Sequence, residues 1–174
     1  MPRSLSRGAA IQAIDRLRDD LNSALDQIDE YRRNPDSSPE QQSYLNDYAV
    51  VRMAGFLEQL CFHAISGRVG EITKDHLQDF INSWFFKAPN LDAEQFRKLF
   101  KRFGGSVDDE IKDFLGRDLN RDVLNSLMER RNAVAHGKES PTSGAMSLAS
   151  YRNLVANMEI IVKRLLLDEP AFIL

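Results

Sequence analysis

The chain has 174 residues, 43% of them hydrophobic and 28% charged, and a formal net charge of −3. That length suits one domain able to bury roughly two thirds of its unfolded surface, and the acidic balance argues against broad duplex binding, which needs a basic face. Cys61 is the single cysteine, which excludes an internal disulfide and a cysteine-built zinc site; with no apolar run near the ~20 residues of a membrane span and no secretory-type apolar core at residues 1–7, a cytoplasmic protein without membrane association is expected.

Strand patterns are nearly missing and helical spacing recurs throughout. The expected class is all-α, a helical bundle forming one domain over residues 1–174, with two long N-terminal helices, shorter helices in the middle, a motif helix and a C-terminal helix. From residue 4 to about 33, Ile14, Leu17, Leu21, Ala24, Ile28 and Tyr31 recur at i+3 and i+4 as one long amphipathic seam. The polar turn Asn34-Pro35-Asp36-Ser37 ends it. Ser38-Pro39-Glu40-Gln41 is a helix start, with Ser38 as cap, Pro39 at the first helical position and Gln41 closing a capping box. The second helix then runs to about residue 66, and its apolar positions, including Tyr44, Tyr48, Val51, Phe56, Leu60, Phe62 and Ile65, go nearly all the way round. Such a helix belongs at the centre of a bundle.

Shorter pieces follow. One spans Thr73 to Phe86. Asp92-Ala93-Glu94-Gln95 starts another, with Leu91 and Phe96 as a hydrophobic staple. Phe96, Phe100 and Phe103 continue at core spacing, and Gly104-Gly105 ends that helix. Ser106 caps a short helix that stops near Gly116. A helix from about 119 to 137 precedes the polar loop Lys138 to Gly144, and the last helix runs from about 147 to 168, with Leu148, Tyr151, Val155, Met158, Val162 and Leu165 on its buried side. The basic group Arg97, Lys98, Lys101 and Arg102 is read as a solvated helix face.

The most informative stretch is Glu129-Arg130-Arg131-Asn132-Ala133-Val134-Ala135-His136-Gly137-Lys138. At about 100° per residue from Val123, the residues Leu124, Leu127, Met128, Val134 and Ala135 complete an apolar arc, and Arg131 falls within it. A guanidinium cannot shed its proton, so there it needs a carboxylate or phosphate partner. Asn125, Glu129, Asn132 and His136 fall together on a separate polar stripe. In the second helix Glu58 stands among Val51, Ala54, Phe62 and Ile65, which makes it a candidate partner for Arg131. Arg52, Gln59 and His63 form another narrow polar stripe. No second histidine or cysteine stands at helical spacing beside His63 or His76, so no metal site is expected.

Arg131, Asn132 and His136, followed by Gly137, resemble the Arg-x4–6-His motif of HEPN domains, all-helical proteins many of which are metal-independent RNases. The resemblance covers the motif, the long first helices and the position of the motif before a final helix; the Phe- and Trp-rich section 73–117 goes beyond a minimal four-helix version. It is closest to prokaryotic HEPN RNases of toxin–antitoxin and antiviral defence systems. It implies a homodimer with a shared active site, RNA as substrate, and a cognate antitoxin or defence-system partner.

The residue types suit that chemistry. A 2′-hydroxyl can attack its own adjacent phosphorus, so the protein need only move protons and stabilise the phosphorane. Histidine titrates near neutrality as a type, and arginine holds phosphate oxygens with two donors in fixed geometry. On this reading His136 is the acid/base group, Arg131 binds the phosphate and Asn132 positions. Glu58 holds Arg131, Arg130 and Lys138 contact the RNA, and neither metal nor cofactor takes part. Two alternatives stand beside it: a non-catalytic HEPN-like module binding a nucleotide, RNA or protein in the same cleft, and a structural helical module using the apolar tail Ala171-Phe172-Ile173-Leu174 for docking.

Overall fold

A computed structural model describes residues 6–72, 90–138 and 146–168. The expected helix over Thr73 to Phe86, His76, the loop beyond Lys138 and the C-terminal tail lie outside the described residues. Among the described residues the fold is an all-helical bundle: α1 (Arg7–Arg33), α2 (Pro39–Ile72), α3 (Ala93–Lys101), α4 (Gly105–Gly116), α5 (Asn120–Ala135) and α6 (Leu148–Lys163), the last continued by a π-helical turn (Arg164–Asp168).

The caps are local in origin. Ser6 Oγ accepts from Ala9 N–H at 3.2 Å and starts α1. Ser38 Oγ accepts from Gln41 N–H at 3.2 Å while Gln41 Oε1 accepts from Ser38 N–H at 2.9 Å, a reciprocal capping box. Asp92 caps α3 through Gln95 N–H at 2.9 Å, with Leu91 and Phe96 both buried as the staple. Ser147 caps α6 through Ser150 N–H at 3.0 Å.

α2 is the central element, packed on α1, α5, α6 and the π-helical turn. Its Met53, Leu57, Leu60 and Ala64 are fully buried and meet Ile14 of α1, Leu124 and Leu127 of α5, and Tyr151, Met158 and Val162 of α6 in one core. Each large side chain so buried stabilises the fold by about 1.5–3 kcal/mol before conformational entropy is counted. Phe96 and Phe100 add a tilted ring pair with centroids 4.6 Å apart.

Several boundaries differ from the sequence reading. α2 does not stop near residue 66 but runs through Gly67 to Ile72. A Cβ at Gly67 would lie 2.5 Å from that of Ala10, so this glycine lets α1 and α2 approach closely and does not break the helix. α4 begins at Gly105, capped by Gly104 at φ 115°, and Ser106 lies inside its first turn. α5 starts one residue late because Asp118 and Leu119 both hold positive φ, and it ends at Ala135, not Gly137. Tyr31, Tyr44, Tyr48 and Val51 are exposed, although their spacing reads as core. α2 is buried over most of its circumference, but its Tyr44–Tyr48–Val51 side has no described element against it.

Candidate functional site

α5 presents the motif. Val123, Leu124, Leu127 and Met128 anchor it in the core, and Ser126 meets Tyr151 of α6 through their hydroxyls at 2.8 Å. Asn120 ties its first turn to the end of α4 through Phe114 C=O at 2.9 Å. Toward its C-terminus the apolar arc opens: Val134 is half-buried and Ala135 exposed.

The helix ends in a Schellman motif. Gly137, at φ 61°, supplies the left-handed residue. Lys138 N–H donates to Ala133 C=O at 2.9 Å and Gly137 N–H to Val134 C=O at 3.1 Å. His136 is the capping residue, at φ −97° and ψ 9°. The chain turns away immediately after it, so the imidazole stands exposed at the corner.

Arg131 reaches back from the same helix end. Its Nη2 donates to Glu58 Oε1 at 2.7 Å and its Nη1 to Asn132 Oδ1 at 3.0 Å. Two of the five guanidinium N–H donors are thus used, and the carboxylate and carboxamide hold the plane of the group. The side chains are 24% and 14% exposed for Arg131 and Glu58, so the pair is largely withdrawn from water. Burial pushes the Glu58 carboxyl above the usual carboxylate range, and the charge of Arg131 only partly offsets this. Burial, with the charge of Glu58 added, also pushes the Cys61 thiol up, so this buried cysteine is a poor nucleophile.

Glu58, Arg131 and Asn132 therefore form one connected group, with His136 one turn beyond Asn132. Arg130 and Lys138 stand differently. Arg130 donates from Nε and Nη2 to Asp47 Oδ1, at 3.1 and 2.9 Å, in a second largely buried link between α5 and α2. Lys138 is exposed just past the turn.

Asp47 escaped the sequence reading, although a signal for it existed. It lies eleven residues, about three helical turns, before Glu58 on α2, and so shares its face. The consecutive Arg130 and Arg131 reach in opposite directions along α2 to these two carboxylates.

His63 is half-buried with Nδ1 lacking a hydrogen-bond partner, and burial lowers its pKa. Among the described residues no three His, Cys, Asp or Glu side chains are grouped to hold a metal ion, and no helix is long and apolar enough to cross a membrane. In the basic group, Arg97 is paired with Asp108 at 2.8 Å and Lys98 with Glu94.

A family model described as RiboL-PSP-HEPN matches residues 15–166, a span containing Glu58, Arg131, Asn132 and His136. Comparisons with curated proteins and with solved structures returned no match.

Proposed function

The chain belongs to the RiboL-PSP-HEPN family, and from that premise we propose that it is a metal-independent endoribonuclease acting as a homodimer in a toxin–antitoxin or antiviral defence system. The observation that carries the reading is the Glu58–Arg131–Asn132 group beside an exposed histidine. An arginine braced by a carboxylate and a carboxamide is pre-oriented for a phosphate, so little ordering entropy is lost when the substrate arrives.

In the proposed reaction a histidine takes the proton of a ribose 2′-hydroxyl as its oxygen bonds to the neighbouring phosphorus. The phosphorus–O5′ bond breaks, and a second histidine protonates the departing 5′-oxygen. The products are a 2′,3′-cyclic phosphate and a 5′-hydroxyl end. Arg131 offsets the charge that grows on the non-bridging oxygens. The nucleophile belongs to the RNA, so the route calls for no metal-bound water.

One protomer supplies one His136. A second copy related by a two-fold axis supplies the other, and the solvent-facing Tyr44–Tyr48–Val51 stripe on α2, the helix that Arg130 and Arg131 grip, supports such a contact. A cognate antitoxin or other defence-system partner would bind this dimer.

The test is His136→Ala. The reading expects cleavage to be abolished while dimer mass and melting temperature stay unchanged. Cleavage at the wild-type rate in that variant removes His136 from the reaction, and a wild type that binds RNA without cutting it makes the cleft a binding module.

A further inference from the structure

α5 carries a second run of polar residues, of which the proposed chemistry uses only Asn132. Arg121, Asn125, Glu129 and Asn132 recur at helical spacing along one face and lead up to His136. Beside them, between α5 and the start of α3, lies a polar groove of about 350 Å³ lined by these side chains together with Asp92 and Glu94. Asn132 belongs to both places, since it lines the groove and holds Arg131.

What the groove offers is set by what is already engaged. Asn125 Oδ1 accepts from Ala93 N–H at 2.9 Å, and Asn132 Oδ1 accepts from Arg131 at 3.0 Å. With both oxygens taken, each asparagine presents its Nδ2 amide as donor. Asp92 caps α3 and Glu94 pairs with Lys98. Glu129 has no hydrogen-bond or ion-pair partner among the described residues, and neither has Arg121. The groove thus presents two fixed amide donors, one uncommitted carboxylate acceptor and a guanidinium. Three carboxylates against one guanidinium make it hostile to phosphate.

We propose that this groove is a base-reading site that takes an unpaired guanine next to the phosphate held at Arg131; the assignment rests on the RNA-cleaving reading. Guanine presents two adjacent donors, N1–H and the N2 amino group, which one carboxylate accepts together, and its O6 and N7 accept from amides or a guanidinium. Adenine and cytosine each offer a single amino donor on that edge, and uracil offers one ring N–H flanked by carbonyl oxygens that a carboxylate repels. Glu129 is therefore the specificity-determining residue, and Asn125 and Asn132 supply the complementary donors. Single-stranded RNA is read in this way, through splayed bases bound at their edges.

The test measures binding to His136→Ala protein, so that it does not depend on cleavage. Fluorescein-labelled uridine heptamers are used, either unsubstituted or with one central guanosine or adenosine. The expected result is at least about tenfold tighter binding of the guanosine probe, with that preference lost in the added Glu129→Ala change while the all-uridine probe binds no more weakly. Equal binding of all probes, no binding of any, a preference for adenosine, or a guanosine preference that survives Glu129→Ala overturns the proposal. A wild type that selects guanosine yet cuts no RNA defeats the nuclease reading alone. One that cuts RNA with no guanosine preference defeats the groove alone.

Discussion

Glu58 and Arg131 lie 73 residues apart in the chain and 2.7 Å apart in the fold. They join the central helix to the motif helix at the point where Arg131 also holds Asn132. The two halves of the pair are not equivalent. Arg131→Ala leaves a half-buried carboxylate without its counter-charge and should cost about 1–3 kcal/mol at neutral pH. Glu58→Gln keeps an acceptor for Nη2 and removes the charge that burial penalises, so it should cost nothing at neutral pH. Urea unfolding of both single variants and the double variant measures the coupling; equal and additive losses would show that the contact does not bind the helices together.

The same pair predicts a pH dependence. The folded-state pKa of Glu58 is raised by burial, so the native state holds this proton where the unfolded chain has lost it. Its contribution to stability is therefore fully present below the ordinary glutamate value and declines as pH rises through the raised one. Unfolding free energies of wild type and Glu58→Gln, followed upward from about pH 4, should converge at the acid end, with wild type falling relative to the variant as pH rises. A difference that does not change with pH would contradict the burial of that carboxyl.

Arg130 and Lys138 should separate cleanly. Arg130 gives two hydrogen bonds to Asp47 in a largely buried setting. Arg130→Ala and Asp47→Ala are each expected to lower stability by about 1–2 kcal/mol, with Arg130→Lys recovering only part because lysine lacks the fork. Lys138→Ala is expected to weaken RNA binding at unchanged stability. Thermal melts and RNA titrations of the four variants would tell; an Arg130→Ala protein of native stability that binds RNA poorly would reverse the assignment.

Gly137 sets where His136 stands. At φ 61° an alanine costs about 1 kcal/mol, while asparagine tolerates the left-handed region better. Gly137→Ala should lower the melting temperature and reduce cleavage by more than the stability loss explains, because the turn that exposes His136 is displaced. Gly137→Asn should lie between it and wild type in both assays. Full activity in Gly137→Ala would mean that the turn does not position the histidine.

Helical periodicity made Arg131 legible from the chain alone, because a charge in an apolar arc demands a partner and Glu58 was the lone charge among Val51, Ala54, Phe62 and Ile65. The caps at Ser38 and Asp92 were legible for a similar reason, since their hydrogen bonds are made within four residues. What could not be read locally was tertiary. Gly67 resembles a helix end until Ala10 is placed against it. Tyr44, Tyr48 and Val51 have the spacing of core residues, and only the positions of the other helices show that side of α2 to be open. The positive φ at Asp118 and Leu119 has no glycine to announce it. The groove beside Asn132 needed the start of α3, which lies distant in sequence and adjacent in space.

The most direct measurement is cleavage of total RNA in EDTA by wild type, Arg131→Ala and His136→Ala, with folding and dimer mass checked for each. Wild-type cleavage that yields cyclic-phosphate ends, and its loss in both folded variants, is the predicted result. Cleavage that persists in both variants, or that EDTA abolishes in wild type, would contradict a metal-independent site built on Arg131 and His136.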